Sequence, residues 1–262
     1  MSPREGLPDC AVADQPEPSI KPSQMGSVNE LDSFVPALSH DLQEPLNSIV
    51  LAVDVILRQN RTNLDPATQK LLSRIGATAA RARTLVEDVL KYGAISGGGR
   101  AEGIAVNARE AIANALLTLD GSLQESQGEV TVEDFQAEVT AQPVRLWQVF
   151  QNLLSNAIRY RKAGTRPEIR ISAERQGAEW VFTVRDEGIG FGPQYAERIF
   201  DPLHRLHGRE LAGSGLGLAI CKTIVEQYGG RIWAEGEEGR GASFYFSLPA
   251  AHSSAARHTQ KA

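Results

Sequence analysis

The strongest constraint on the fold is an apolar stripe that recurs every three to four residues from Glu30 to Ser96. This spacing is that of α-helices with one buried face. The pattern breaks once, at "NLDP", where Asp65 is expected to cap a helix and Pro66 to occupy its first position. The region therefore predicts an antiparallel helical hairpin. Because a lone hairpin buries only one side of each helix, we expect two copies to form a dimeric four-helix bundle. Packing against the rest of the chain is the alternative.

Helix and strand patterns alternate in the part of the chain that follows. Three helices are predicted, at Asn107–Leu119, Pro143–Lys162 and Leu216–Tyr228. Five strands are predicted from alternating or β-branched sequences, namely "VTVEDF", "EIRISAE", "EWVFTVRD", "GRIWAE" and "ASFYFSL". The last four of these read as two antiparallel hairpins. A two-layer α+β sandwich, a sheet covered by helices, is therefore expected after the helical hairpin.

Composition sets the boundaries between these parts. The helical hairpin is assigned to residues 29–96 and the α+β domain to residues 102–249. The glycine-rich "SGGGR" between them predicts a flexible hinge at residues 97–101. Residues 1–28 and 250–262 are polar and poor in large apolar side chains, so both are expected to be disordered.

Charge and cysteine content exclude several classes of protein. The formal net charge of −5 lacks the basic excess of a nucleic-acid-binding protein. The two cysteines, Cys10 and Cys221, lie far apart and indicate a reducing compartment without a disulfide framework. No apolar run approaches the ~20 residues of a membrane span, and the proline-rich N-terminus lacks the apolar core of a signal peptide. We therefore expect a cytoplasmic protein without a membrane span.

The sequence "LSHDLQEPLNSI" places a histidine in the first helical run. At ~100° per residue, His40 lies about 200° from both Leu38 and Leu42, off the apolar stripe, so it is expected to face solvent. A lone exposed histidine usually has no function. Here, however, Asp41 follows directly, and a neighbouring carboxylate can hold the imidazole tautomer and raise its basicity.

A predicted helix carries two asparagines one turn apart in "QVFQNLLSNAIRYRK". Asn152 and Asn156 fall on one side, with Arg159 and Tyr160 just beyond. Asparagine is unfavourable in a helix interior, so two asparagines on one side of this helix indicate a specific structural or binding role. One interpretation is a satisfied buried amide pair. The other is an edge for metal and phosphate, because amide oxygens suit Mg²⁺ and guanidinium groups suit phosphate oxygens.

Glycines follow the strand that ends at Asp186, in "VRDEGIGF". Gly188 and Gly190 could be ordinary turn residues. They could also allow the backbone to approach a flat ring, with Asp186 accepting a hydrogen bond from an exocyclic amine.

A second group of glycines, Gly213, Gly215 and Gly217, opens an apolar helix in "GSGLGLAICKTIVEQYGG". Backbone N–H groups at such a helix start can bind an anion. The preceding polar stretch, Leu203 to Ala212, is expected to be a mobile lid. No strand precedes these glycines and no G-x-x-x-x-G-K-[ST] sequence is present, which excludes the Rossmann and P-loop interpretations.

Taken in order, these motifs resemble those of the sensor histidine kinases, over Glu30 to Pro249. "SHDLQEPL" resembles the phosphoacceptor box, "NLLSNAIRY" the asparagine box, "DEGIGF" and "GSGLGL" two glycine boxes, and "GRGASFYFSLP" the last glycine turn and strand. The sequence of these motifs is most similar to that of kinases of the bacterial phytochrome type. The resemblance implies a dimerisation and histidine phosphotransfer hairpin followed by a catalytic ATP-binding domain of the Bergerat fold.

The resemblance also implies roles for individual residues. His40 would accept the γ-phosphoryl group of ATP, with Asp41 as its base, and Asn156 would bind Mg²⁺. The residues implied in ATP binding are Asn152, Asn156, Arg159, Tyr160, Asp186, Gly188, Gly190, Gly213, Gly215, Leu216, Gly217 and Ser243. Ser243, together with Gly241, is expected beside the base, where the family more often has threonine. Phe200 matches the first aromatic residue of the lid box, but Leu203 replaces the second.

Partners and competing functions follow from the same resemblance. The expected function is autophosphorylation and transfer to an aspartate of a response regulator receiver domain. Either the chain is a fragment or its input comes from a separate sensor protein. A phosphotransfer adaptor or pseudokinase is the alternative. An ATPase clamp of the gyrase and chaperone type would need a glutamate where this chain has Asn152.

Overall fold

The computed structural model describes residues 28–60, 63–206 and 214–251, with side chains from residue 42 onward. Two long helices come first, α1 (Val28–Gln59) and α2 (Pro66–Ser96), and they pack against each other as the predicted hairpin. Asp65 caps α2, because its Oδ1 accepts hydrogen bonds from the backbone N–H groups of Ala67 and Thr68 at 2.9 and 3.0 Å. Pro66 occupies the first turn, as predicted.

The remaining elements build the α+β domain. In chain order they are β1 (Ile104–Asn107), α3 (Ala108–Ser126), β2 (Glu129–Val132), β3 (Glu138–Ala141), α4 (Pro143–Arg159), β4 (Glu168–Gln176), β5 (Glu179–Asp186), α5 (Gly217–Gln227), β6 (Ile232–Glu237) and β7 (Gly241–Pro249). Two short 3₁₀ turns, Pro193–Tyr195 and Arg198–Phe200, lie between β5 and α5. The predicted helical hairpin and α+β fold class are confirmed.

The main sheet has five strands in the order β2-β4-β5-β7-β6. Strand β2 runs parallel to β4, and the other neighbours are antiparallel. The predicted hairpins β4–β5 and β6–β7 are confirmed. The sequence did not reveal β1 and β3, which form a separate two-stranded sheet. Each has only four residues and lacks the run of three β-branched residues that marked β2, a strand of the same length.

Aromatic side chains fix the helical layer on the sheet. Phe150 of α4 packs edge-on against Phe182 of β5 and Phe246 of β7, with ring centroids 5.6 and 5.4 Å apart. Phe182 and Phe246 are paired across the strands and stack at 4.8 Å. All three rings are fully buried. Edge-to-face and stacked pairs add specific geometry to the free energy of burial, so this cluster sets the position of α4 above the sheet.

The end of α2 belongs to the core of the α+β domain rather than to the hairpin alone. Ile95 is only 2% exposed and joins that core. The Gln227 side-chain amide donates to the carbonyls of Ile95 and Gly98, and the Gln227 carbonyl accepts from the N–H of Ala101. The hinge predicted at residues 97–101 is therefore held to the end of α5 in this structure.

The other side of the hairpin is apolar and open. A groove between α1 and α2, here called the hairpin groove, is lined by Leu46, Ile49, Leu71, Ile75, Ala79 and Ala82 together with Arg74 and Thr78. Leu71 is 56% exposed within a single chain. Within the described ranges, no helix is both long and apolar enough to cross a membrane.

Anchoring of α2 by Ile95 gives a first prediction. Ile95→Ala should lower the free energy of unfolding of the α+β domain by about 2 to 5 kcal/mol, because it leaves a cavity in a packed core. Urea unfolding followed by tryptophan fluorescence measures this selectively, since Trp147, Trp180 and Trp233 are the only tryptophans of the chain and all lie in that domain.

The matched control is the same substitution at Ile104, which is 64% exposed. Ile104→Ala should change the free energy of unfolding by less than about 1 kcal/mol. Equal effects of the two substitutions would show that Ile95 does not belong to the domain core in solution.

Candidate functional site

A cleft between α4, the end of β5 and the start of α5 contains two adjoining pockets. The apolar pocket is lined by residues of the sheet end and of the segment before α5, including Asp186, Gly190, Phe191, Ala242 and Phe244. The polar pocket is lined by α4, the start of α5 and one face of α2, including Asn152, Arg159, Ser214, Gly215, Gly217, Asp88 and Lys91. Five residues line both pockets and mark their junction: Asn156, Tyr160, Ile199, His204 and Leu218.

Asp186 supplies a buried acceptor to the apolar pocket. It follows Phe182 and Val184 on the helix-facing side of β5, and it is only 6% exposed. Burial raises the pKa of its carboxyl group from 3.8 to about 6, although backbone N–H groups of Gly188 and Ala242 donate to it and oppose the rise. The Gly188 bond is 2.8 Å long. Above pH 6 this group is mainly an ionised acceptor in an apolar wall.

The glycines after β5 face backbone more than they face the cleft. A Cβ at Gly188 would lie 2.5 Å from the carbonyl oxygen of Tyr160, and a Cβ at Gly190 would lie 2.0 Å from that of Glu237. Gly190 also has a φ of 64°, which favours glycine. Of the two, Gly190 lines the apolar pocket. Close packing of the loop on the protein's own backbone therefore requires both glycines. The approach of a flat ring to these glycines stays a prediction.

The two asparagines of α4 have different surroundings. Asn152 donates from Nδ2 to the carbonyl of Gly217 at 3.2 Å, which ties α4 to the first turn of α5. Asn156, one turn later, lies at the junction of the two pockets, and Arg159 lines the polar pocket. Phe150, Leu153, Leu154, Ala157 and Ile158 form the buried face predicted for this helix.

The start of α5 closes the polar pocket. Ser214, Gly215 and Gly217 line it, and Gly215 has a φ of 77°. The first backbone N–H groups of a helix have no partner within the helix, so they form a favourable end for an anion. Leu216, predicted in the same motif, instead points into the core and is 2% exposed. Gly213 lies outside the described residues, as does most of the predicted lid.

The prediction for Ser243 does not agree with its position. Strand pairing places Ala242 opposite Asp186, and Ala242 lines the apolar pocket. Ser243 pairs with Arg185 and Glu235 on the other face of the sheet, because successive strand residues point to opposite faces. The residue beside the acceptor is therefore an alanine.

Several cleft residues were not found from the sequence. Phe191, Ile199, Leu218, Ala242 and Phe244 form apolar walls of the cleft. Alternation along β7 is the signal that could have identified two of them, because it places Ala242 and Phe244 on the same face of the strand as Phe246. The side chains of His40 and Asp41 lie outside the described residues; the backbone there is part of α1.

Burial of Asp186 predicts a pH-dependent stability. Between about pH 4 and pH 6 the folded state binds the Asp186 proton more tightly than the unfolded state does. The free energy of unfolding therefore falls as pH rises through this window, by at most roughly 3 kcal/mol. Asp186→Asn should be more stable than wild type near pH 7.5 and similar near pH 4. The exposed Asp201→Asn is the control, and a constant difference at both pH values would contradict the raised pKa.

Comparison with known protein families places both parts of the chain. Residues 30–98 match the His Kinase A (phospho-acceptor) domain. Residues 141–252 match the family of histidine kinase-, DNA gyrase B- and HSP90-like ATPases. The first match covers the hairpin, and the second covers α4 and both glycine motifs of the cleft.

Curated relatives extend over both matches. Cyanobacterial phytochrome A of Nostoc sp. is 40% identical over 224 residues, covering 84% of this chain and 28% of that protein. The methanogenesis regulatory histidine kinase FilI of Methanothrix harundinacea is 34% identical over 227 residues, covering 84% of this chain and 25% of that protein. The chain thus spans less than a third of the length of these relatives.

Solved structures agree with the fold. Full-length ShkA in complex with AMPPNP superposes with a TM-score of 0.62 at 25% identity, covering 84% of this chain and 46% of that one. Histidine kinase ThkA, in a complex with response regulator protein TrrA, superposes with a TM-score of 0.56 at 22% identity, covering 84% of this chain and 63% of that one. The chain therefore contains the core of a two-component sensor histidine kinase, a phospho-acceptor hairpin joined to an ATPase-like domain.

Proposed function

We propose that this protein is an ATP-dependent histidine kinase that phosphorylates His40 and passes the phosphoryl group to an aspartate of a response regulator. The observation that carries the proposal is the junction of two unlike pockets. An apolar pocket with one buried carboxylate adjoins a polar pocket with amide, guanidinium and helix-start groups. This is the division that a purine nucleotide requires, with a flat base at one end and phosphates at the other.

The base is held by Asp186 in this proposal. Its ionised carboxylate accepts a hydrogen bond from the exocyclic amine of adenine, while Phe191, Ile199 and Phe244 contribute apolar walls. Guanine carries a carbonyl at the corresponding position, and a carbonyl oxygen cannot donate to a carboxylate. A buried acceptor left without a donor is costly, which gives preference for adenine over guanine.

The phosphates occupy the polar pocket. Arg159 reaches their oxygens as a cation, and the backbone N–H groups at the start of α5 favour their charge. The amide oxygen of Asn156, at the junction, is a suitable hard ligand for Mg²⁺. When bound, Mg²⁺ neutralises phosphate charge. Asn152 keeps α5 in position for this arrangement through its bond to Gly217.

Transfer begins at the imidazole of His40. One ring nitrogen forms a bond to the γ-phosphorus while the bond from phosphorus to the β–γ bridging oxygen breaks and ADP leaves. Asp41 would orient the ring and stabilise its positive charge as the N–P bond forms. The resulting phosphoramidate is a high-energy group suited to onward transfer to a carboxylate.

We further propose that the protein is a homodimer through its hairpin. The hairpin groove exposes Ile49, Leu71 and Ile75 in a single chain, and the half-buried Leu46 also lines it. A contiguous apolar surface on a helical hairpin is most simply covered by a second copy, giving a four-helix bundle.

We also propose two other partners, a receiver domain and a sensor. The sensor is either part of the same polypeptide or a separate protein. The reducing conditions expected from the cysteine content support a cytoplasmic location.

Autophosphorylation can be tested with γ-labelled ATP and Mg²⁺. Wild type should acquire acid-labile, base-stable label, and His40→Ala should lose all of it while binding a fluorescent ATP analogue with unchanged affinity. His258→Ala is the control histidine substitution and should retain the label. Omission of Mg²⁺ should also prevent labelling.

Two results would contradict this assignment. Label that persists in His40→Ala would place the acceptor elsewhere. Wild type that binds the ATP analogue but is never labelled, even with its sensor, would favour an adaptor or pseudokinase.

The dimer is tested with a charge in the hairpin groove. Leu71→Glu should convert the full-length protein from dimer to monomer at micromolar concentration in light scattering, because a carboxylate cannot be buried unpaired. Leu117→Glu is the matched control, since Leu117 is 75% exposed on α3 and away from the groove. A wild-type monomer, or a dimer that Leu71→Glu leaves intact, would exclude this interface.

A further inference from the structure

The junction of the two pockets contains a side chain to which no binding role has been assigned so far. His204 lines both pockets, directly before the residues that lie outside the described part of the chain. Its Nδ1 atom is buried and has no hydrogen-bond partner among the described residues. A buried polar atom without a partner is costly, so its position here points to a missing partner in the cleft.

The backbone turns His204 toward the cleft. Leu203 has a left-handed φ of 62°, which is unusual for a residue other than glycine. The Leu203 side chain is 60% exposed and does not line either pocket. The sequence placed Leu203 where the family has an aromatic residue. In this structure the next residue, His204, lines the cleft.

This conformation is held by groups that are themselves described. The N–H of Leu203 donates to the carbonyl of Gly215 at 3.0 Å, and the N–H of His204 donates to the carbonyl of Asp201 at 3.2 Å. A Cβ at Gly215 would lie 3.1 Å from the carbonyl oxygen of His204, so this segment packs closely on the start of α5. The backbone at Leu203 and His204 is therefore held by Gly215, which precedes α5, and by Asp201, which directly follows the 3₁₀ turn Arg198–Phe200.

We propose that Nδ1 of His204 donates a hydrogen bond to the α-phosphate of the bound adenine nucleotide. The proposal rests on the function assigned above, with the base in the apolar pocket and the terminal phosphates in the polar pocket. The α-phosphate is the first charged group beyond the ribose, so it lies at the junction. Either the neutral tautomer protonated at Nδ1 or the imidazolium ion can donate this bond.

Most other junction residues cannot replace this contact. Ile199 and Leu218 are apolar, and the Asn156 amide oxygen is assigned to Mg²⁺. Tyr160 is the one other junction residue whose side chain carries a donor that a phosphate could accept from. The simplest competing explanation is a histidine that only fills space between Leu218 and the segment before α5. The two explanations can be distinguished by measurement. If the ring only fills space, replacing it should change the affinity for adenosine and for its phosphorylated forms by the same factor.

The test measures binding of ATP, ADP, AMP and adenosine to the full-length protein, by displacement of a fluorescent ATP analogue. His204→Phe keeps a ring and removes the nitrogen. It should weaken binding of all three phosphorylated ligands by about tenfold to a hundredfold, because a hydrogen bond to a charged group is lost. Adenosine binding should stay within about twofold of wild type.

The matched variant is His204→Asn, since the amide nitrogen of asparagine occupies nearly the same place as Nδ1 of histidine. It should recover most of the affinity for AMP and ATP, whereas His204→Gln, whose amide nitrogen lies further out, should not. Thermal unfolding followed by tryptophan fluorescence confirms that each variant is folded.

Outcomes of this experiment separate the inference from the function on which it rests. Wild type that binds none of the adenine ligands would overturn both. Wild type that binds them while His204→Phe binds AMP equally well would overturn only the role of His204. An equal loss for adenosine and AMP would also overturn it, since the contact would then not involve phosphate.

Discussion

The packing of Phe150 on the stacked pair Phe182 and Phe246 is the interaction on which the rest of the site depends. It fixes α4 over the centre of the sheet, and α4 carries Asn156 on its cleft side. A slip of one helical turn would move that amide by about 5 Å relative to the strand end at Asp186. Because protein cores are packed as tightly as organic crystals, such a slip is strongly opposed. Positions in the cleft are thus set by side chains that never contact a ligand.

The cleft is a continuation of the core rather than a feature added to its surface. Phe182 and Val184 bring Asp186 onto the helix-facing side of β5, where burial raises the pKa of its carboxyl group to about 6. Backbone N–H groups of Gly188 and Ala242 lower the cost of that burial without removing it. A further donor to this carboxylate would lower more of that cost.

The hairpin and the α+β domain share two contacts of different kinds. Ile95 and Gln227 join the end of α2 to the domain core through apolar packing and side-chain hydrogen bonds. Asp88 and Lys91, which lie about two turns and one turn before Ile95 on the same helix, form part of the wall of the polar pocket. A change in the position of α2 would therefore alter the pocket directly.

The sequence by itself determined the elements and the chemistry they carry. Helical periodicity predicted α1 and α2, Asp65 identified the start of the second helix, and asparagine, aspartate and glycine motifs predicted the cleft. These signals are local, since they depend on spacings of two to seven residues. Strands β1 and β3 show neither such a period nor the run of three β-branched residues that marked β2, so their bounds came only from the structure.

Only the tertiary structure decided which neighbours these residues meet. The register of β7 against β5 placed Ala242 beside Asp186 and turned Ser243 to the opposite face. Side-chain hydrogen bonds from Gln227 to Ile95 and Gly98 join α5 to the segment that glycine content predicted to be a flexible hinge. The left-handed turn at Leu203 brought His204 into the cleft. Each of these depends on pairing between distant parts of the chain or on a single backbone angle, and neither leaves a periodic trace in the sequence.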